Sequence, residues 1–158
     1  MKTASISELQ KELNTLEPKK VLELCVRLVK HKKENKELLS YLLFDANDET
    51  LFINNLKEEI DFLFSEINNS NVYFVKKSLR KILRITNKYI KYSGSLQTDI
   101  ELRIYFCSKV RSEQIPLNKS TVLSNLYDRE VLKIKSTLSK LHEDIQFDFS
   151  NEVEKLSE

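Results

Sequence analysis

The chain has 158 residues, 41% of them hydrophobic and 32% charged, with a formal net charge of +2. That length suits one domain and lets a compact fold bury roughly 70% of the surface its unfolded chain exposes, so a core can form without metal or disulfide. The single glycine, Gly94, excludes every Gly-rich phosphate loop. With only Pro18 and Pro116 beside it, the chain also lacks the turn residues of a β-sandwich or barrel.

Met1 to Ile6 contains no apolar stretch, which argues against a secretory signal, and no later run approaches the length of a membrane span. Cys25 and Cys107 sit among apolar neighbours, LELCVRLV and IYFCSKV. They read as two buried, reduced thiols of a cytoplasmic protein.

Taken in order, Ser5-x-x-Glu8 is a capping-box pattern that opens a helix to Thr15, with Leu9, Leu13 and Leu16 as its apolar stripe. Pro18 stands in the first turn of a second helix reaching Lys32, where a missing N–H is tolerated. Val21, Leu22, Cys25, Leu28 and Val29 line its expected inner face. A third helix covers Asn35 to Phe44. DANDE, residues 45–49, is a turn with acids where a helix dipole favours them. The helix after it runs to Ile67, with Phe52, Leu56, Ile60, Leu63 and Ile67 on one face. NNSN then turns the chain into a helix over 72–92, and Gly94 is the natural stop because it adopts positive φ without steric cost.

Thr98 to Ser112 carries two patterns. Ile100, Leu102, Ile104 and Phe106 alternate with polar residues as in a strand; as a helix the segment is apolar on several sides, as a central helix is. We read a helix, because the stretch is long, Thr98-x-x-Glu101 can cap it, and a lone strand has no partner for its backbone groups. EQIPLNKS is a loop. A last long helix is expected from Ser120 to His142, with Tyr127, Val131, Ile134, Leu138, Leu141 and Ile145 spaced as a bundle seam. In the acidic tail, residues 143–158, Ile145, Phe147 and Phe149 alternate, which suggests partial docking as an extended segment. The sum is one all-α domain over 1–158: about seven helices, arranged as an antiparallel bundle or a short helix-turn-helix stack.

The stretches LQKELNTLEPKKVLELCVRLVKHKKENKELLSYLLF, SLRKILRI and IELRIYFCSKV give the layout a resemblance to a family of small all-helical bacterial proteins known as domain of unknown function 6155, over roughly residues 5 to 112. The resemblance implies an all-α fold and a helix across Ile100 to Val110. It implies no activity, and it carries over no site residue.

Little local chemistry stands out. His31 and His142 sit at expected helix ends, where the dipole favours a charged imidazole. No Cys-x-x-Cys, His-x-x-x-His or Glu-x-x-His spacing occurs, so neither a metal nor another cofactor is expected. The carboxylates Asp48-Glu49, Glu58-Glu59 with Asp61, and Glu59 with Glu66 read as solvated helix faces. No nucleophile motif supports an enzyme.

The distinctive segment is VYFVKKSLRKILRITNKYIKY, residues 72–92, with seven cations and no acid. At 100° per residue Lys76, Lys77, Arg80, Lys81, Arg84, Lys88 and Lys91 fall within an arc of about 140°, with Tyr73 among them and the apolar residues opposite. Cations four apart repel by a few tenths of a kcal/mol per pair. Two acidic segments could answer them from within: residues 45–69, whose seven acids against Lys57 leave −6, and the tail, at −5. Three readings compete. The face is solvated and partly paired with these acids; it binds an acidic protein or a nucleic acid; or it lies on a membrane, which the core's need for its apolar side opposes. The expectation is a non-enzymatic helical interaction or scaffold module with no membrane partner. Nucleic-acid binding through residues 73–91 is the alternative, self-association is open, and the tail is a candidate shield for the basic face.

Overall fold

A computed structural model describes residues 2–156; Met1 and the tail's last two residues, Ser157 and Glu158, lie outside them. The described residues form eight α-helices and no strand: α1 Ile6–Thr15, α2 Pro18–His31, α3 Lys33–Ser40, α4 Glu49–Ser65, α5 Val72–Ser93, α6 Leu96–Ser112, α7 Thr121–Leu138 and α8 Glu143–Lys155. A π-helical turn follows α3 at Tyr41–Asp45, and a 3-10 turn precedes α7 at Leu117–Lys119. The all-α reading holds, including a helix where residues 98–112 were ambiguous. Its cap is Ser95, whose hydroxyl accepts from the Thr98 N–H, rather than Thr98, which is buried.

Contacts cluster in two compact units, Met1–Phe44 and Asp45–Glu158, where the sequence suggested one undivided domain. In the first unit, the capping box forms as spaced: the Ser5 N–H donates to Glu8 Oε2 at 2.7 Å and the Glu8 N–H to Ser5 Oγ at 3.3 Å. The Ser5 N–H bond, and after it the Ser5 hydroxyl, which donates to the same Glu8 oxygen at 2.8 Å, hold the Glu8 carboxyl below its ordinary pKa. Helices α2 and α3 pack together. The expected inner faces are nevertheless only partly covered: α1, α2 and α3 contain no fully buried residue, Val21, Cys25 and Val29 are half-buried, and Leu22 and Leu28 are 64% and 60% exposed. Some 44 residues cannot enclose a core of ordinary size. Cys25 is accordingly half-buried, while Cys107, in the second unit, is fully buried.

In the second unit α6 is the central helix. It packs against α4, α5 and α7, and α4 also packs against α5. Side-chain pairs give the directions. Phe52 and Glu49 of α4 meet Tyr89 and Ser93 of α5, so these two run antiparallel. Glu49 meets Thr98, and Asp61 meets Tyr105 and Lys109, so α4 and α6 run parallel. Asp99 meets Thr137 and Arg103 meets Glu130, so α6 and α7 are antiparallel. Being surrounded explains the sequence of α6: Ile100, Leu102, Ile104, Phe106, Cys107 and Val110 point in several directions and all are buried.

The C-terminal expectations need two corrections. The seam residues Tyr127, Val131 and Ile134 are buried on α7, but the helix ends at Leu138, short of His142. The tail is not extended: its described part is α8, packed against α7, with Val153 and Leu156 buried. The alternation of Ile145, Phe147 and Phe149 therefore splits around a helix, leaving Phe147 78% exposed. His142 caps the N-terminus of α8, where its Nδ1 accepts from the Asp144 N–H at 3.3 Å, so it does not meet a C-terminal dipole as expected.

Candidate polyanion-binding face

Helix α5 is amphipathic for its full length. Val75, Leu79, Ile82, Leu83 and Thr86 are buried on one side. Asn71 caps its start by accepting from the Tyr73 N–H at 2.8 Å, and Gly94 ends it at φ +67°. This burial fixes the rotation of the helix and turns the cations outward. Lys77, Arg80, Lys81, Arg84 and Lys91 are exposed, and Lys76 and Lys88 are partly so.

No acid of α4 pairs with Lys76, Lys77, Arg80, Lys81, Arg84 or Lys91 among the described residues, although α4 packs antiparallel to α5. Glu49 and Asp61 are engaged at the helix ends and by α6, and Glu59 borders Ile85, Thr86 and Tyr89 of α5. Glu49 accepts from the Ser93 and Thr98 hydroxyls, the latter at 2.6 Å. Asp61 accepts from the Tyr105 hydroxyl at 2.8 Å and pairs with Lys109 at 3.2 Å. Burial and the Asp61 carboxylate together push the Tyr105 phenol up. Lys57 pairs with Glu101 at 2.6 Å, and Asp48 caps α4. Glu58 and Glu59 make no ion pair among the described residues, nor do Lys76, Lys77, Arg80, Lys81, Arg84 and Lys91. The tail's described acids on α8 make none with α5 either, so the shielding role finds no contact behind it.

The cations line an open groove of about 690 Å³. Lys76, Lys77, Arg80, Lys81 and Arg84 border it together with Tyr73, as the sequence suggested; Lys88 and Lys91 do not. Lys88 stands over the Tyr89 ring at 4.7 Å from its centroid. Four lining residues were not foreseen: Glu66 and Asn68 from the turn before α5, and Phe74 and Ser78 from α5 itself. Phe74 was legible in the spacing, since it lies three and seven residues before Lys77 and Lys81; the turn residues were not, because a loop has no period. Tyr73 and Phe74 are 59% and 43% exposed, edge to face at 5.5 Å, with the Lys76 ammonium 5.6 Å from the Tyr73 centroid.

A second cleft, of about 730 Å³, lies among α6, α7 and the end of α8, lined by Val110, Tyr127, Val131, Leu132 and Leu156 among others. Burial pushes the Tyr127 phenol up, and its hydroxyl donates to the Leu156 carbonyl at 3.0 Å. This is a packing role. Among the described residues no three His, Cys, Asp or Glu side chains are grouped to hold a metal, and no helix is long and apolar enough to cross a membrane. No family model, curated protein or solved structure matches the chain.

Proposed function

We propose that this chain is a non-enzymatic helical interaction module that engages a polyanionic partner through the basic face of α5. One observation carries the reading: five cations border one groove, and none is paired with an acid among the described residues. A structural face would be expected to shed its repulsion onto neighbouring carboxylates, yet the one carboxylate that borders the groove, Glu66, pairs with none of the five cations among the described residues. Arg80 and Arg84 are the two arginines of the groove, and their planar guanidinium forks suit phosphate or carboxylate oxygens bidentately. The free thiols suit a reducing, cytoplasmic setting.

Retention on immobilised heparin tests this. The wild-type protein is expected to elute at higher salt than Arg80→Ala/Arg84→Ala, while Lys119→Ala/Lys140→Ala, which removes the same charge from exposed sites elsewhere, elutes with the wild type. Co-elution of the Arg80/Arg84 variant with wild type, or no retention at low salt, would sink the proposal.

A further inference from the structure

Resting on that reading, we infer that the partner is a single-stranded nucleic acid, bound with its phosphates along the α5 cations and with bases against Tyr73 and Phe74. The groove is divided in its chemistry. Lys76, Lys77, Arg80, Lys81 and Arg84 run along α5, where residues four apart are separated by about 6 Å along the axis. At the turn end stand the two exposed rings, with Asn68, Ser78 and the single carboxylate, Glu66. A uniformly acidic peptide has nothing to set against this second end, and Glu66 repels it. A nucleotide is divided in the same way, into an anionic phosphate and a flat base with polar edges.

The rings are placed for this role. Tyr73 lies in the cationic sector, one turn from Lys76 and Lys77 and two from Arg80. Phe74 flanks Lys77 and Lys81 in the same manner. Neither ring belongs to the buried core, and exposed aromatic side chains beside a cationic track are the recurring platform for single strands, because every base presents a stacking face. Duplex recognition draws on a helix or ribbon seated in a groove, and a duplex offers the rings at the turn end no unstacked base.

The experiment is fluorescence anisotropy with a labelled 12-nucleotide oligo(dT), the matching duplex, and poly-glutamate. Oligo(dT) is expected to bind best, with a log–log salt slope of about −3.5 if all five groove cations meet phosphates. Arg80→Ala/Arg84→Ala should flatten that slope by about 1.4. Tyr73→Ala and Phe74→Ala should each weaken oligo(dT) by roughly 5- to 150-fold with the slope unchanged and heparin retention intact, and Tyr73→Phe should restore most of the loss. If heparin retention depends on the arginines but the ring variants bind oligo(dT) like wild type, or duplex or poly-glutamate binds best, the nucleic-acid inference falls and the proposed function stands. If neither heparin nor oligo(dT) binds, both fall.

Discussion

Removing the Glu130 carboxylate tests how α5, α6 and α7 are held in register. Glu130 is 3% exposed and Arg103 8% exposed. The Arg103 guanidinium is answered from three helices: Nε donates to Asp99 Oδ1 at 2.5 Å, one terminal nitrogen to Glu130, and the other to Asn87 Oδ1 at 2.9 Å. Lys133 satisfies the second Glu130 oxygen at 2.6 Å, and the Thr137 hydroxyl donates to the second Asp99 oxygen at 3.1 Å. Breaking a buried pair from one side costs about 3–5 kcal/mol, since the remaining charge loses its partner. Glu130→Ala leaves Asp99 to neutralise Arg103, which places it at about 3 kcal/mol. Arg103→Met leaves two carboxylates facing each other and should reach about 5 kcal/mol. Glu130→Gln keeps an acceptor and should cost less than either. Urea unfolding at pH 7 followed by far-UV circular dichroism reads these differences, and the double variant should cost less than the sum of the singles. Single losses below about 1 kcal/mol, or strict additivity, would refute the assignment of this network as a joint between α5, α6 and α7.

Three further outcomes follow from the geometry. Burial pushes the Cys107 thiol up to about 12, with the Glu130 carboxylate adding to that and Arg103 opposing it. Cys25 should therefore alkylate in the native protein at pH 8 while Cys107 reacts only on unfolding. Because the unfolded thiol ionises first, the stability tied to Cys107 is complete below about pH 9 and declines toward pH 12, and Cys107→Ala should reduce that decline by up to about 1.4 kcal/mol per pH unit. Gly94→Ala should cost about 1–2 kcal/mol in urea unfolding from left-handed backbone strain alone, since an added Cβ meets nothing within 4 Å. Truncation after Leu141 should destabilise the chain without raising heparin retention: it exposes the sites of Val153 and Leu156 and removes the carbonyl that accepts from Tyr127 and Arg111.

The basic face was legible in the sequence because seven cations at helical spacing leave no other arrangement once the segment is a helix. The lack of ion pairs at Lys76, Lys77, Arg80, Lys81 and Arg84 among the described residues was not. The −6 segment lies next to it in the chain and packs antiparallel to it, yet Asp61 is taken up by Tyr105 and Lys109 of α6, and Glu49 sits beside Ser93 and Thr98, at the far end of α5 from the groove. Arg103 and Glu130 gave no warning at all: in sequence they are two of many exposed-looking charges, and only the closeness of α6 and α7 makes them a buried pair. The tail misled for a different reason, since three alternating apolar residues are too few to separate a strand from one side of a short helix.

What the sequence by itself determined is therefore short in range: the all-α class, the Ser5–Glu8 capping box, the stop at Gly94, and the two-sided character of α5. Each depends on residues within a turn or two of one another, where backbone sterics and hydrogen bonding decide. The tertiary structure decided which amphipathic faces are covered, which leucines of α1 and α2 remain exposed, and which charges find partners. Those outcomes depend on which helix lies beside which and on how each is rotated, and within residues 45–158 burial of the apolar sides around α6 sets both.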